Sequence, residues 1–412
     1  MVTFHSVLIT ASIAAALAWG GLSLHVLYVQ RKRLATDRVL SAVAHALERS
    51  GTVPLPASVC LERVRPIVAS ASRDLVIRGA ADPATGDNAF AALLAVFDER
   101  WGLEGLVADA AQHRSSREKW RRAASLRVLF RMNHHQALPL LARACGEPDS
   151  EIAALAFALL GRSSDPKAMD ILFDGLRRYR HRASRIAIHI EQSPQAIPGR
   201  LKALLDDADP SLRFWGATLL ARYPDEDVER DLAHLTSDAD PRVRKAAIQT
   251  LGKTGHELAA ERAAALLTDP YPYVRAHAAR ALGELGRSDL ADRVALLLGD
   301  ADWWARLAAR ESLEMMGSDV WPVLMRSLNH ADRFVRNGAA EVCQNVGVLD
   351  SLVVMEAASD SPGRSKIDIL RRIAAAGGVR FTDSLVERAG PIVGPRIRNL
   401  LTTIGLEHVG AA

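Results

Sequence analysis

The phrase DADPRVRKAAIQTLGKTG, residues 238–255, returns 31 residues later as DPYPYVRAHAARALGELG, residues 269–286, agreeing at its Pro, Val-Arg, Ala, Leu-Gly and final Gly positions. Aligned on its arginine, the phrase gives Arg213, Arg244, Arg275, Arg306 and Arg336, a register that slips by one residue across five units. An active site needs one constellation of unlike groups. A phrase written at a fixed period instead marks supersecondary units that stack.

Each unit carries its own mechanical logic. A first acidic row holds Asp207, Asp238, Asp269 and Asp300, with His330 breaking it, and a second holds Asp209, Asp240, Asp302 and Asp332, with Tyr271 the departure. Asp209 and Asp240 stand where a carboxylate caps the first free amides of a helix, and Pro210 and Pro241 follow at the position where no donor is lost. Val243, Val274 and Val335 then open an apolar stripe, which continues through Ala247, Ala278, Ala309 and Ala339 to Leu251, Leu282 and Leu313. Gly255 and Gly286 suit the left-handed geometry that stops a helix. A second amphipathic segment, such as 257–267 or 290–298, lies between these helices, so each unit is a helix pair. Neither helix buries its face alone; stacking the pairs makes one core, an all-α solenoid.

Units such as DADPRVRKAAIQTLGKTG resemble HEAT repeats, and their short length is most similar to the HEAT-like repeats of the phycobilisome lyases. In that family the turn aspartate and the Val-Arg arginine form a hydrogen-bonded ladder from unit to unit. The resemblance implies ladder roles for Asp209, Arg213, Asp240, Arg244, Asp269, Arg275, Asp302, Arg306, Asp332 and Arg336, with Asp240 serving Arg244 and Asp302 serving Arg306. Weaker copies place Arg122, Ala153 and Ala183 in the arginine register upstream and Lys366 and Arg396 downstream. The expectation is about ten hairpins over residues 101–412. Residues 34–100, broken by TVPLP and ADPATGDN, read as an irregular helical neck.

Residues 4–29 contain no Asp, Glu, Lys or Arg. As a helix they reach about 39 Å, enough for a hydrocarbon core of about 30 Å. A cleavable signal peptide is the competing reading, but MVTFHS lacks its basic opening. Arg31, Lys32 and Arg33 follow the span and no Lys or Arg precedes it. The expectation is an anchor over residues 1–33 in the inner (plasma) membrane, its amino terminus outside and the solenoid cytoplasmic. Cys60, Cys145 and Cys343 form no CxxC pair and fit a reducing compartment.

Catalytic signals are sparse. Deoxyhypusine hydroxylase, a HEAT-repeat metalloenzyme, sets His-Glu pairs near the start of its second helices. Here those positions read Phe214-Trp215, Lys245-Ala246, Ala276-His277, Leu307-Ala308 and Asn337-Gly338. His256-Glu257 belongs to a linker and reads as a helix start. His134-His135 and the 181–189 stretch lack HxxxH or HExxH spacing. Ser116 to Lys119 matches serine-xx-lysine without its companion motifs, and no GxxxxGK loop is present. No catalytic residue, cofactor or metal is expected. The net charge of +4, from 52 basic and 48 acidic residues, is too small to argue for nucleic acid by itself. The run Arg177, Arg178, Arg180, Arg182 and Arg185 keeps nucleic acid or anionic lipid as an alternative.

One row is not required by the repeat. Two residues before each arginine stand Ser211, Arg242, Tyr273, Trp304 and Phe334, with Trp303 and Arg333 alongside. Stacking aligns three rings into a stripe of the residue types that dominate interface energetics. The competing account is that the rings merely cover the turns. The chain thus reads as a membrane-anchored, non-catalytic scaffold whose partner-binding residues are Tyr273, Trp303, Trp304, Arg333 and Phe334. Its partner is expected to be a membrane protein or complex, such as an envelope polysaccharide synthase or transporter; a HEAT-like lyase or hydroxylase is the weaker alternative.

Overall fold

The computed structural model describes residues 34, 37–47, 57–112, 119–224, 226–253, 257–346, 371–372 and 390–403. Among the described residues every regular element is helical. None of these helices is long and apolar enough to cross a membrane. The expected anchor over residues 4–29, Gly255 and the repeat position at Lys366 lie outside the described residues.

The chain divides into two compact units, Met1–Gln195 and Ala196–Ala412. In the second, helix pairs follow one another: α11 (Pro198–Leu205) with α12 (Pro210–Leu219), α13 (Glu226–Leu235) with α14 (Pro241–Leu251), and α15 (Glu257–Leu266) with α16 (Pro272–Glu284). Then come α17 (Ala291–Leu296) with α18 (Trp303–Met315), and α19 (Trp321–Ser327) with α20 (Arg333–Asn345). A further helix, α21 (Gly390–Thr403), includes Arg396.

The even-numbered helices α12 to α20 pack each on the next, forming one layer, while α11, α13 and α15, and again α17 and α19, form the other. The layer exists because its contact positions are small. Ala217, Ala247, Ala278, Ala309 and Ala339 are fully buried, and Val243, Val274, Leu251, Leu282 and Leu313 complete the apolar stripe. Four of these five even helices start on the cap that the sequence offers: Asp209, Asp240, Asp302 and Asp332 accept hydrogen bonds from the amides of Ser211, Arg242, Trp304 and Phe334. Gly286 takes φ +64° just beyond α16.

The first unit shows the same two-layer habit with a plainer sequence. Residues 37–47 (α1) are helical, followed by α2 (Ala57–Val68), α3 (Arg73–Ala81), α4 (Asp87–Trp101) and α5 (Glu104–Ala111). The pairs α7 (Ala137–Cys145) with α8 (Ser150–Gly161), and α9 (Pro166–Arg178) with α10 (Ala183–Glu191), follow α6 (Lys119–Arg131). Helix α6 packs on α8 and α8 on α10, while α7 packs on α9. Upstream, α2 meets α4 and α3 meets α6. Helix α4, which ends at Trp101, buries Leu93, Val96 and Phe97.

Candidate interaction surface

The arginine row makes a ladder, but its rungs differ from the expected ones. Arg213 donates Nε and Nη2 to the two carboxylate oxygens of Asp238, at 2.7 and 2.9 Å. Arg244 grips Asp269 in the same way at 2.7 and 3.0 Å, and Arg275 grips Asp300 at 2.7 and 2.7 Å. Each arginine thus reaches the first aspartate of the next turn, while its Nη1 donates to backbone carbonyls of its own turn, such as Asp238 and Ala239 for Arg244. The expected pairs Asp240 with Arg244 and Asp302 with Arg306 do not form. Those second aspartates are committed to capping their own helices, and Asp240 also holds Arg242 at 2.6 Å.

The first aspartates carry a second duty. Oδ1 of Asp207, Asp238, Asp269 and Asp300 accepts the amide two residues on, at 2.8 to 2.9 Å, which closes the turn. At the fifth turn His330 keeps only this job, its Nδ1 accepting from the Asp332 amide at 3.1 Å. Arg306 still donates Nη1 to the carbonyls of Asp300 and Ala301, and Arg336 to those of His330 and Ala331.

A related rung occurs in the first unit, at the Arg122 that the register marks in sequence, with Glu147 as an acceptor that sequence reading missed. Arg122 donates to Glu147 at 2.7 Å and to the Ala110 carbonyl at 3.0 Å. Glu147 is 25 residues ahead of its arginine, the same interval as in the second unit, and Asp149 behind it caps α8. The signal was EPDS, a turn with both acidic positions filled but Ala153 where the next arginine would be.

The aromatic row lies on the layer of even-numbered helices. Trp303 is 59% exposed, Tyr271 46%, Phe334 44% and Trp304 39%, with Tyr273 half-buried. Trp303 and Trp304 meet edge to face at 5.0 Å, and Tyr271 and Tyr273 lie 5.8 Å apart. Guanidinium groups cover one side of several rings. Arg244 lies 5.7 Å from Tyr271, Arg280 5.1 Å from Trp304, Arg306 4.8 Å from Phe334 and Arg333 4.9 Å from Phe334. A second row of ion pairs runs beside them, Arg280 to Glu311 and Arg310 to Glu341. The sequence-predicted residues Tyr273, Trp303, Trp304, Arg333 and Phe334 are thus joined by Tyr271, which occupies a capping position without capping.

Burial mutes one histidine near the row and two cysteines elsewhere in the chain. Burial, with the charges of Lys245 and Arg280, pushes the His277 imidazole down to about 4. Burial pushes the thiols of Cys145 and Cys343 up to about 12. No group of three or more His, Cys, Asp or Glu able to hold a metal occurs among the described residues. The basic run is partly structural: Arg182 donates to the Cys145 and Glu147 carbonyls at 2.8 and 2.6 Å, and Arg178 pairs with Asp174 at 3.0 Å.

No curated protein matches the chain by sequence. Solved structures that match the chain include the CpcE–CpcF complex of phycocyanin lyase from Nostoc sp. PCC7120, at 23% identity and TM-score 0.32, covering 52% of this chain and 96% of that one. Karyopherin Kap121p bound to RanGTP matches at 14% identity and TM-score 0.44, covering 91% of this chain and 49% of that one. Human deoxyhypusine hydroxylase in complex with glycerol matches at 17% identity and TM-score 0.28, covering 70% of this chain and 98% of that one. The sequence profile of the HEAT repeats family matches residues 197–269 and 259–344. It covers the same stretch in which the helix pairs stack and the arginine ladder runs.

Proposed function

We propose that the protein is a non-catalytic scaffold that binds a partner protein along the aromatic and arginine row of its second unit. The observation that carries this reading is the exposure of Tyr271, Trp303, Trp304 and Phe334 at matching ends of successive helices, where the hairpin core does not need them. A ring held on one side by a guanidinium and open on the other is an ordered, apolar contact, and such rings with arginine dominate interface energetics. The apolar residues 4–29, followed by Arg31, Lys32 and Arg33, favour attachment to the inner (plasma) membrane with the repeats on the cytoplasmic side. On this reading the partner is itself a membrane protein or complex, of which an envelope polysaccharide synthase or a transporter is an example. Sharing a membrane raises the partner's effective concentration.

The test is affinity capture of the full chain from solubilised membranes with mass spectrometry, using Tyr273, Trp304 and Phe334 replaced together by Ala. The rings stand at the helix starts and the cation–π contacts of Trp304 and Phe334 contribute about 0.5–1 kcal/mol each, so the variant is expected to stay folded. Its helicity and melting should be close to those of the parent while the captured partner disappears. Loss of folding instead would favour rings that only cover the turns.

A further inference from the structure

The ladder has an open rung. Arg213, Arg244 and Arg275 each close Nε and Nη2 on a carboxylate, but the residue that would receive Arg306 is His330, an exposed side chain that offers no carboxylate. Arg306 keeps the rest of the arrangement. Its Nη1 is pinned by the carbonyls of Asp300 and Ala301 at 2.7 and 3.0 Å, and it lies over the Phe334 ring. Among the described residues no carboxylate meets its Nε and Nη2 edge. The nearby carboxylates have other work: Asp300 is held by Arg275, while Asp302 and Asp332 cap α18 and α20. Two more cations border the turn, Arg333 over Phe334 and Arg372, which donates to the Asn329 side chain. The neighbourhood is therefore a preset two-pronged donor beside the exposed rings of Trp303 and Phe334.

We infer that this open rung is a carboxylate-binding site, and that its occupant is an aspartate or glutamate of an extended acidic segment in the partner protein, with an adjacent apolar side chain resting on Trp303 and Phe334. This rests on the scaffold reading above and specifies the partner's chemistry. The arginine is held by its own turn in the same way as the three that already grip a carboxylate bidentately, so little ordering cost remains at binding. Guanidinium groups match planar carboxylates better than ammonium groups do. The rings supply the apolar anchor.

The experiment probes the full chain with an array of synthetic acetylated octapeptides, each holding one Asp or Glu among Phe, Leu and Pro, beside identical peptides carrying Asn or Gln. The acidic peptides should bind at least roughly tenfold more tightly, the value of one charge-assisted pair. Arg306→Gln should lower that binding by a similar factor. His330→Asp supplies the missing carboxylate from within; it should close the rung, raise the melting temperature and block the acidic peptides. This variant carries the test if Arg306→Gln unfolds. Three outcomes would overturn the inference: no peptide bound, equal binding of acidic and amide peptides, or full binding by His330→Asp with its melting temperature raised. Capture of a single-stranded oligonucleotide in place of the peptides would also overturn it. If the acidic preference is absent but replacing Tyr273, Trp304 and Phe334 by Ala still abolishes partner capture, only the open-rung inference falls; if that replacement has no effect, the scaffold reading falls too.

Discussion

At Asp238 one carboxylate receives Arg213 through two hydrogen bonds and the Asp240 amide through a third, so three donors converge on a side chain that is almost fully covered. Burial alone would push this carboxyl up. The Arg213 hydrogen bonds, the Asp240 amide and the Arg213 charge together outweigh it, and the group sits below its ordinary value of 3.8. Asp300 is held below the same value against the same opposing burial, by Arg275 and the Asp302 amide. A carboxyl whose folded value is depressed contributes fully above its unfolded value, and the contribution drains as pH falls through the folded one. Asp238→Asn combined with Asp300→Asn keeps both turn acceptors and gives up two ion pairs, at a cost of about 2–3 kcal/mol each near neutral pH. Thermal melts from about pH 6 down to pH 2 should show the parent losing stability steeply and the variant losing much less. Equal slopes would mean that other carboxyls govern acid unfolding.

Between elements, the glycines record how closely the even-numbered helices approach. A Cβ added at Gly283 would lie 2.8 Å from the Ser312 Cα on α18, and one at Gly252 would lie 2.9 Å from the Ala281 Cβ on α16. Gly283→Ala should therefore cost about 1–3 kcal/mol by forcing α16 and α18 apart. Gly199→Ala in α11 is the control: nothing stands within 4 Å, and removing a helical glycine should stabilise by about 0.5–1 kcal/mol. Chemical denaturation of both variants checks the pair, and a loss at Gly199 would contradict the packing argument. The starts of the even-numbered helices were readable because Asp209-Pro210 and Asp240-Pro241 act locally, within one turn of chain. The rungs were not, because the acceptor 25 residues away is selected by stacking, and both acidic positions look equally suited until the cap claims the second. The helix pairs of the first unit are less legible in sequence for a related reason. With Ala153 and Ala183 in the arginine register, bonds to the turn backbone come from Arg182 and Gln195, which reach the carbonyls of Cys145, Glu147, Ser163 and Asp165 from other positions. Tyr271 was passed over as a broken cap and is an exposed ring of the row.

On the scale of the whole chain, what matters is that a repeated turn presents side chains at a constant step while the core behind it barely changes. Helices of one layer sit about 8–10 Å apart, so rings on α16, α18 and α20 mark out roughly 20 Å along the layer, the reach of an extended segment of the partner proposed above. Contacts of that kind are individually modest. Membrane attachment through residues 4–29 would let them suffice, because a partner in the same bilayer is met at high effective concentration. The positive-inside asymmetry of Arg31, Lys32 and Arg33 gives this idea a definite sign. With the full chain carrying one epitope at each end, protease added to sealed spheroplasts should remove the amino-terminal epitope and leave the carboxy-terminal one intact until the membrane is opened by detergent. Alkaline carbonate should leave the chain in the pellet. Release by carbonate would exclude the span, and the reverse digestion pattern would place the repeats, with their aromatic row and open rung, outside and not on the cytoplasmic side proposed for them.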